Sequence, residues 1–398
     1  MSDQSKKEEK GIFKELYDTF FAKSWEMWIG SILLAVLSIC LFMIISPWGS
    51  SGGLLNWGQN FFSTLGLSLE NSAPITAFLE YRYALLSLTM LLGALGAALL
   101  GKEFAIRIAP AGELVKGLFG GILMGIGCIL GMGCTIGNFF SGWPALSAGA
   151  IIFVLGLFIG VFIAVKYLLW EMEKHPKISS GKSATFLQAK TKGMSLQPLA
   201  GLIVVIIGAI IAFTLTDNIL FGFALIGLFI GIILQRSRWC IVRALREPFL
   251  TGDAEPAMAI IAGLTVGLLG FTLIKILGLG SEMSMVGSNF WIPAIIGGSI
   301  FGFGMTIAGG CTVGSTWRAG EGHVKLWLAL IGIVITAPLT AEYIQPAFMS
   351  ILPESVKQAV FLPDYFTYFG AIIIMLLILL LWYVFVKWNE RTGKLSAM

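Results

Sequence analysis

Residues 120–137 read GGILMGIGCILGMGCTIG, and residues 297–314 read GGSIFGFGMTIAGGCTVG. At a constant offset of 177 both fit GGxxxGxGxxxxxGCTxG without a gap, and 8 of the 18 positions are identical. Glycine-rich membrane helices are common, so the glycines alone say little. The Cys-Thr pair in frame with them marks an internal duplication. Each copy is also a poor regular helix, because glycine costs roughly 1 kcal/mol relative to alanine in a helix interior. A broken backbone inside a bilayer is tolerated only where it is buried in protein or lines a cavity. A break exposes backbone N–H groups at the start of the following half-helix, and those favour anions.

The rest of the chain agrees with a membrane setting. Of its 398 residues 57% are hydrophobic and 12% charged, with a mean hydropathy of +0.88. Soluble proteins carry about a quarter charged residues, so an ordinary soluble enzyme, a disordered scaffold and a nucleic-acid-binding domain are excluded. The net charge of +4 is too mild for a polyanion partner such as nucleic acid. Five cysteines in so long a chain are no disulfide framework. His175 and His323 are too few and too far apart for a His-based metal centre.

A bilayer core needs about 20 apolar residues per helix. Reading between charges gives Trp28–Ser46, Tyr83–Gly101, Leu199–Thr216, Ile219–Leu234, Pro256–Ile274, Leu326–Ala341 and Thr367–Val386. Gly117–Val165 is long enough for two passes with a turn near Gly142-Trp143-Pro144, and Met283–Trp317 is a second long uncharged stretch. The expected fold is an all-α polytopic membrane protein of about nine to ten transmembrane helices with short re-entrant segments. Its parts are a cytoplasmic amphipathic segment (1–27), a first membrane half (28–165), a cytoplasmic linker (166–198), a second half (199–386) and a tail (387–398). Residues 11–26 repeat aromatic and apolar side chains at helical spacing. They predict an amphipathic helix, either lying on the lipid surface or packed on a neighbouring loop.

Orientation follows from the positive-inside rule. With both termini cytoplasmic, the inner segments hold 23 of the 26 Lys and Arg, leaving Arg82, Lys275 and Lys357 outside. The first motif then starts from the cytoplasm and the second from outside. Inverted repeats of this kind, meeting near the midplane, are an architecture of secondary transporters.

Several residues are candidates for the conduit. Cys134 and Cys311 offer soft, weakly donating thiols, and Thr135 and Thr312 offer hydroxyls, beside Gly133 and Gly310. The alternative is that the glycines let helices pack closely with cysteine as filler, which suits Gly117, Gly121 and Gly125. Cys240 lies among Arg236, Arg238, Arg243 and Arg246, and cations favour a reactive thiol. Those arginines serve equally as positive-inside anchors. Cys128 lies about 240° round a regular helix from Cys134, on another face, and Cys40 sits in a plain apolar span. Ser315 to His323 forms a polar turn, placed for an exit gate or as a loop in which Arg318 pairs with Glu321. Gly181-Lys182-Ser183 lacks the upstream glycine of a phosphate loop, since residue 176 is proline. There is no HExxH, CxxC or GxSxG, and no cofactor is implied.

Three blocks, MGCTIGNFFSGWPALS (132–147), QRSRWCIVRALREPFLTGD (235–253) and FGFGMTIAGGCTVGSTWRAGEG (301–322), resemble the YeeE/YedE sulfur-transport family of bacterial membrane proteins. The likeness spans about residues 85–340, and FFSGWPALS looks more like the YedE branch, which is often linked to selenium metabolism. The resemblance implies an inverted hourglass of helices in the bacterial inner membrane. It implies uptake of thiosulfate along thiols that match Cys134, Cys240 and Cys311 here, with a small sulfur-carrier protein of the TusA type as partner. Arg236, Arg238 and Arg318 would attract the anion at the cytoplasmic mouth. A selenium compound as cargo, or an intramembrane sulfurtransferase, are the alternatives, with a glycine-lined channel for neutral solutes as a third.

Overall fold

A computed structural model describes residues 15, 17–67, 69, 76–176, 181–188, 196–287 and 290–395. The first half contains α1 (Met27–Ile44), α2 (Ser50–Thr64), α3 (Arg82–Leu100), α4 (Ala111–Leu130) and α5 (Ala148–Lys174), with a π-helical turn at Thr135–Ser141. The second half contains α6 (Gln197–Phe213), α7 (Asn218–Ser237), α8 (Ile241–Leu250), α9 (Glu255–Ile276), α10 (Ile292–Ala308), α11 (Thr312–Gly320) and α12 (Val324–Leu339). It closes with α13 (Gln345–Ile351) and α14 (Pro363–Thr392). Two three-residue strands, β1 (Ile106–Ile108) and β2 (Ala184–Phe186), pair antiparallel and tie the 166–198 segment back to the start of α4.

Among the described residues nine helical units are long and apolar enough to cross a bilayer, and α6, at 17 residues, is a shorter apolar helix beside them. The chain is a multi-pass, all-α membrane protein. A turn at Asp217-Asn218 separates α6 from α7, with the Asp217 carboxylate accepting the Ile219 N–H at 2.7 Å as an N-cap. The amphipathic segment lies partly outside the described residues, including Phe13 and Leu16. Its described part packs on protein: the Tyr17 hydroxyl donates to the Leu100 carbonyl at 2.5 Å and the Trp25 N–H to the Arg236 carbonyl at 2.8 Å.

The two motif helices lie against each other, since a Cβ on Gly120 would stand 2.5 Å from the Gly304 carbonyl oxygen. Gly117, Gly121 and Gly125 serve close packing, as expected of small residues at helix contacts. Side chains there would strike Lys325, Ala329 and Thr336 of α12. α4 starts beside Arg107–Pro110 and ends beside Met132, whereas α10 starts beyond Met285–Gly287 and ends at Gly309. These flanking residues line two different cavities, so the repeats run in opposite directions.

The breaks also match. Met132 (φ 54°) and Gly309 (φ 83°) are equivalent under the offset of 177, and both take the left-handed conformation that ends the motif helix. A β-branched residue at Gly309 would cost about 1–2 kcal/mol in that conformation. Gly309→Val is therefore expected to lower the melting temperature of the purified protein, while Met132→Gly melts no lower than the wild type; a destabilised Met132→Gly would contradict this account.

Candidate functional site

Each candidate cysteine occupies the position just before a helical segment that starts at a break. Cys134 precedes the π-helical turn, Cys240 precedes α8 and Cys311 precedes α11, all three with extended backbone. The Cys311 Sγ accepts the Gly314 N–H at 3.4 Å. A fourth break has the same form: Gly49, also extended, precedes α2. Trp48-Gly49 stands between α1 and α2 as Trp239-Cys240 stands between α7 and α8. The sequence reading missed this break because Ser50–Thr64 is neither apolar nor long enough to register as a span. The repeated Trp at positions 48 and 239 was the available signal.

Cys134, Cys240, Cys311, Thr135 and Thr312 are all buried, at 0–1% exposure. Cys134, Cys240 and Cys311 belong to one buried apolar cluster. Among the described residues the Thr135 hydroxyl closes no hydrogen bond. The break at Met132 folds the chain back toward Cys128, whose carbonyl accepts the Gly133 N–H at 2.8 Å. Its S–H is committed to the Gly125 carbonyl at 3.3 Å. Gly133 and Gly310 bring the backbone against the segment that follows. A Cβ on Gly133 would stand 2.7 Å from the Asn138 side chain, and one on Gly310 would stand 3.2 Å from the Ser315 nitrogen. The indole N–H groups of Trp239 and Trp317 are buried without acceptors.

Two cavities flank this waist. One of about 240 Å³ is neutral: Gly49, Gly133, Gly137 and Asn138 line it with Met132, Met285, Tyr81 and Tyr83. The other, of about 570 Å³, contains Cys240 and Gly309 and is basic, lined by Arg107, Arg243, Arg246, Arg318 and Lys325 with Glu247 and His323. Cys240 thus lines the cationic cavity, whereas Cys134 and Cys311 line neither of the two.

The three arginines expected at the mouth differ in placement. Arg318 lines the basic cavity, and its Nη1 donates to the Gly309 carbonyl at 2.9 Å, bracing the break before Cys311. Arg236 is buried and bonds to Glu103, Gln235 and the Lys23 carbonyl. Arg238 pairs with Glu103 and Glu321. Neither of these two is among the residues lining the cavity. Glu321 engages Arg238, Gln235 and His323, while the Arg318 guanidinium turns to Gly309 instead. Arg107 and Lys325 went unrecognised as lining residues, since only folding carries β1 and the start of α12 to the Cys240 cavity.

Burial disfavours the ionised Glu321 carboxylate, but the His323 hydrogen bond, the Arg238 charge and the Gln235 amide outweigh it and hold its pKa below the ordinary 4.5. A depressed carboxyl pKa adds stability that is complete above the ordinary value and is lost as pH falls through the lower, folded value. Melting curves recorded from neutral pH downwards should show a loss of stability below 4.5 that Glu321→Gln reduces; an unchanged acid limb in that variant would contradict the assignment.

Comparison with known proteins agrees with this geometry. The profile of the family described as sulphur transport matches residues 2–163 and 236–397, one stretch in each half of the duplication. Over 340 residues the chain is 28% identical to a protein named probable transporter YedE from Salmonella typhimurium, covering 82% of this chain and 83% of that protein. It is 28% identical over 174 residues to the thiosulfate transporter TsuA of Escherichia coli, covering 43% of this chain and 49% of that one. It is 37% identical over 107 residues to a TsuA from Spirochaeta thermophila, covering 27% and 32%. With both repeats matched by the family profile and interrupted helices meeting between two vestibules, the chain belongs to the sulphur transport family.

Proposed function

We propose that this protein imports thiosulfate across the bacterial inner membrane, from the neutral vestibule to the basic one, by way of the thiols of Cys134, Cys311 and Cys240. The observation that carries the reading is the position of those thiols: each is buried at the start of an interrupted helical segment, and Cys240 lines the basic cavity. Relatives named as thiosulfate transporters support the choice of cargo.

Thiosulfate is a dianion with a soft terminal sulfur. Removing such a charge from water is costly unless donors replace the water. A fixed lysine or arginine at the waist would compensate fully and trap the ion. Neutral S–H groups and the N-terminal N–H groups of α8 and α11 compensate partly, so the ion can be handed on. Arg318, Arg243, Arg246 and Lys325 then draw it into the basic cavity, where a counter-charge favours its arrival. The cation-rich end faces the cytoplasm in this reading, as the distribution of Lys and Arg requires. A TusA-like carrier protein would collect sulfur there, and Cys240 is the thiol in that cavity.

Growth of a strain lacking sulfate and thiosulfate uptake, with thiosulfate as sole sulfur source, tests this directly. The wild-type gene should restore growth and Cys311→Ser should not, although both reach the membrane in equal amount. A triple Cys→Ala variant at 134, 240 and 311 that transports normally would end the thiol path.

A further inference from the structure

Buried hydroxyls in this protein ordinarily find an acceptor on their own helix, one turn back. Ser38 donates to the Leu34 carbonyl at 2.8 Å, Thr306 to Gly302 at 2.8 Å and Thr316 to Thr312 at 2.9 Å. Among the described residues three hydroxyls have no such acceptor on their own helix although their residues are fully buried: Ser50 Oγ, Thr135 Oγ1 and Thr312 Oγ1. Each belongs to the first residue of a segment that follows a break, in α2, the π-helical turn and α11 respectively. A residue in that position has no helical carbonyl four residues behind it, so the break itself leaves the hydroxyl open. Ser31 and Thr272 are also unpartnered, but they lie inside the regular helices α1 and α9, where rotation about χ1 reaches the preceding turn.

The three open hydroxyls belong to segments that meet. α2 packs against both the π-helical turn and α11. A Cβ on Gly49 would stand 3.6 Å from the Gly137 Cα, and the Ser141 hydroxyl donates to the Trp48 carbonyl at 2.9 Å. No Lys or Arg occurs within residues 48–52, 131–141 or 308–317. Buried polar groups without partners are rare in folded proteins and call for a ligand or a role.

We propose that the hydroxyls of Ser50, Thr135 and Thr312 form a site for the oxygen atoms of the transported oxyanion, oriented so that its sulfur meets the thiols. Hydroxyls are harder and stronger donors than thiols, so the two sets divide the ion between them: oxygens to Ser50, Thr135 and Thr312, sulfur to the cysteines. Of the four breaks, the one at Gly49 lacks a thiol and contributes a hydroxyl alone, which suits the step where the ion leaves the neutral vestibule with its oxygens still to be desolvated. This inference rests on the thiosulfate reading above and adds the residues that would select an oxyanion.

The test uses the full-length protein in proteoliposomes with radiolabelled thiosulfate. Ser50→Ala and Thr312→Val should each raise KM about tenfold, as expected for loss of a hydrogen bond to a charged ligand, with the melting temperature unchanged. Ser50→Thr and Thr312→Ser keep the hydroxyl and should keep the wild-type KM. Unchanged KM in Ser50→Ala and Thr312→Val overturns the inference while leaving the cargo intact. Equal losses in the hydroxyl-retaining variants overturn it in favour of shape, and a changed dependence on sodium at constant KM overturns it in favour of a cation. A wild type that takes up no thiosulfate overturns the cargo reading and this inference together. Should Thr312→Val fail to insert, Ser50→Ala, which deletes a single oxygen, decides the matter.

Discussion

A helix interrupted within a bilayer must find partners for the backbone groups its break releases, and lipid supplies none. That requirement organises this protein. The four breaks, after α1, α4, α7 and α10, are enclosed by the helices around them, and Ser50, Cys134, Cys240 and Cys311 beside them are buried. The long helices serve that enclosure. α4 and α10 cross at glycines, and α12 lies against the glycine face of α4, close enough that a Cβ at Gly121 would stand 2.2 Å from the Ala329 carbonyl. At the other extreme, α14 buries little of its surface and presents the rest outward.

The duplication is symmetric in backbone and asymmetric in chemistry. Met132 and Gly309 keep the same left-handed turn although one carries a side chain, because the turn is what delivers the following Gly-Cys-Thr to the waist. Around that common frame the two ends diverge. Tyrosines, methionines and glycines line one cavity, and five Lys and Arg side chains line the other. An anion would therefore be attracted to the second cavity more strongly than to the first. The same polarity appears at the breaks, where Gly49 borders the neutral cavity and Cys240 borders the basic one.

Charge close to the waist is used structurally as well. Arg236 and Arg238 are drawn off by Glu103 and Glu321, joining the end of α7 to the segment that leads into β1 and to the turn after α11. Buried charges need such partners, since an unpaired one is far costlier than a paired one. Arginines committed to carboxylates in this way brace the frame of the vestibule, and the cations left facing its interior are Arg107, Arg243, Arg246, Arg318 and Lys325.

Much of the architecture was legible from residue order. Uncharged runs set the long helices, because apolar length is a local property that a bilayer reads directly. The Gly-Cys-Thr repeat announced two equivalent breaks, because glycine and the recurrence of a motif are visible without any contact. Residue order did not disclose α2, whose composition is too polar for a span, nor the return of the chain toward Cys128, which depends on how sharply it turns at Met132. It could not separate Arg236 and Arg238 from Arg318, since all three lie at the same end of the membrane and only their partners differ. Which hydroxyls remain open and which cations face a cavity were decided by tertiary structure, because each depends on groups brought together from distant parts of the chain.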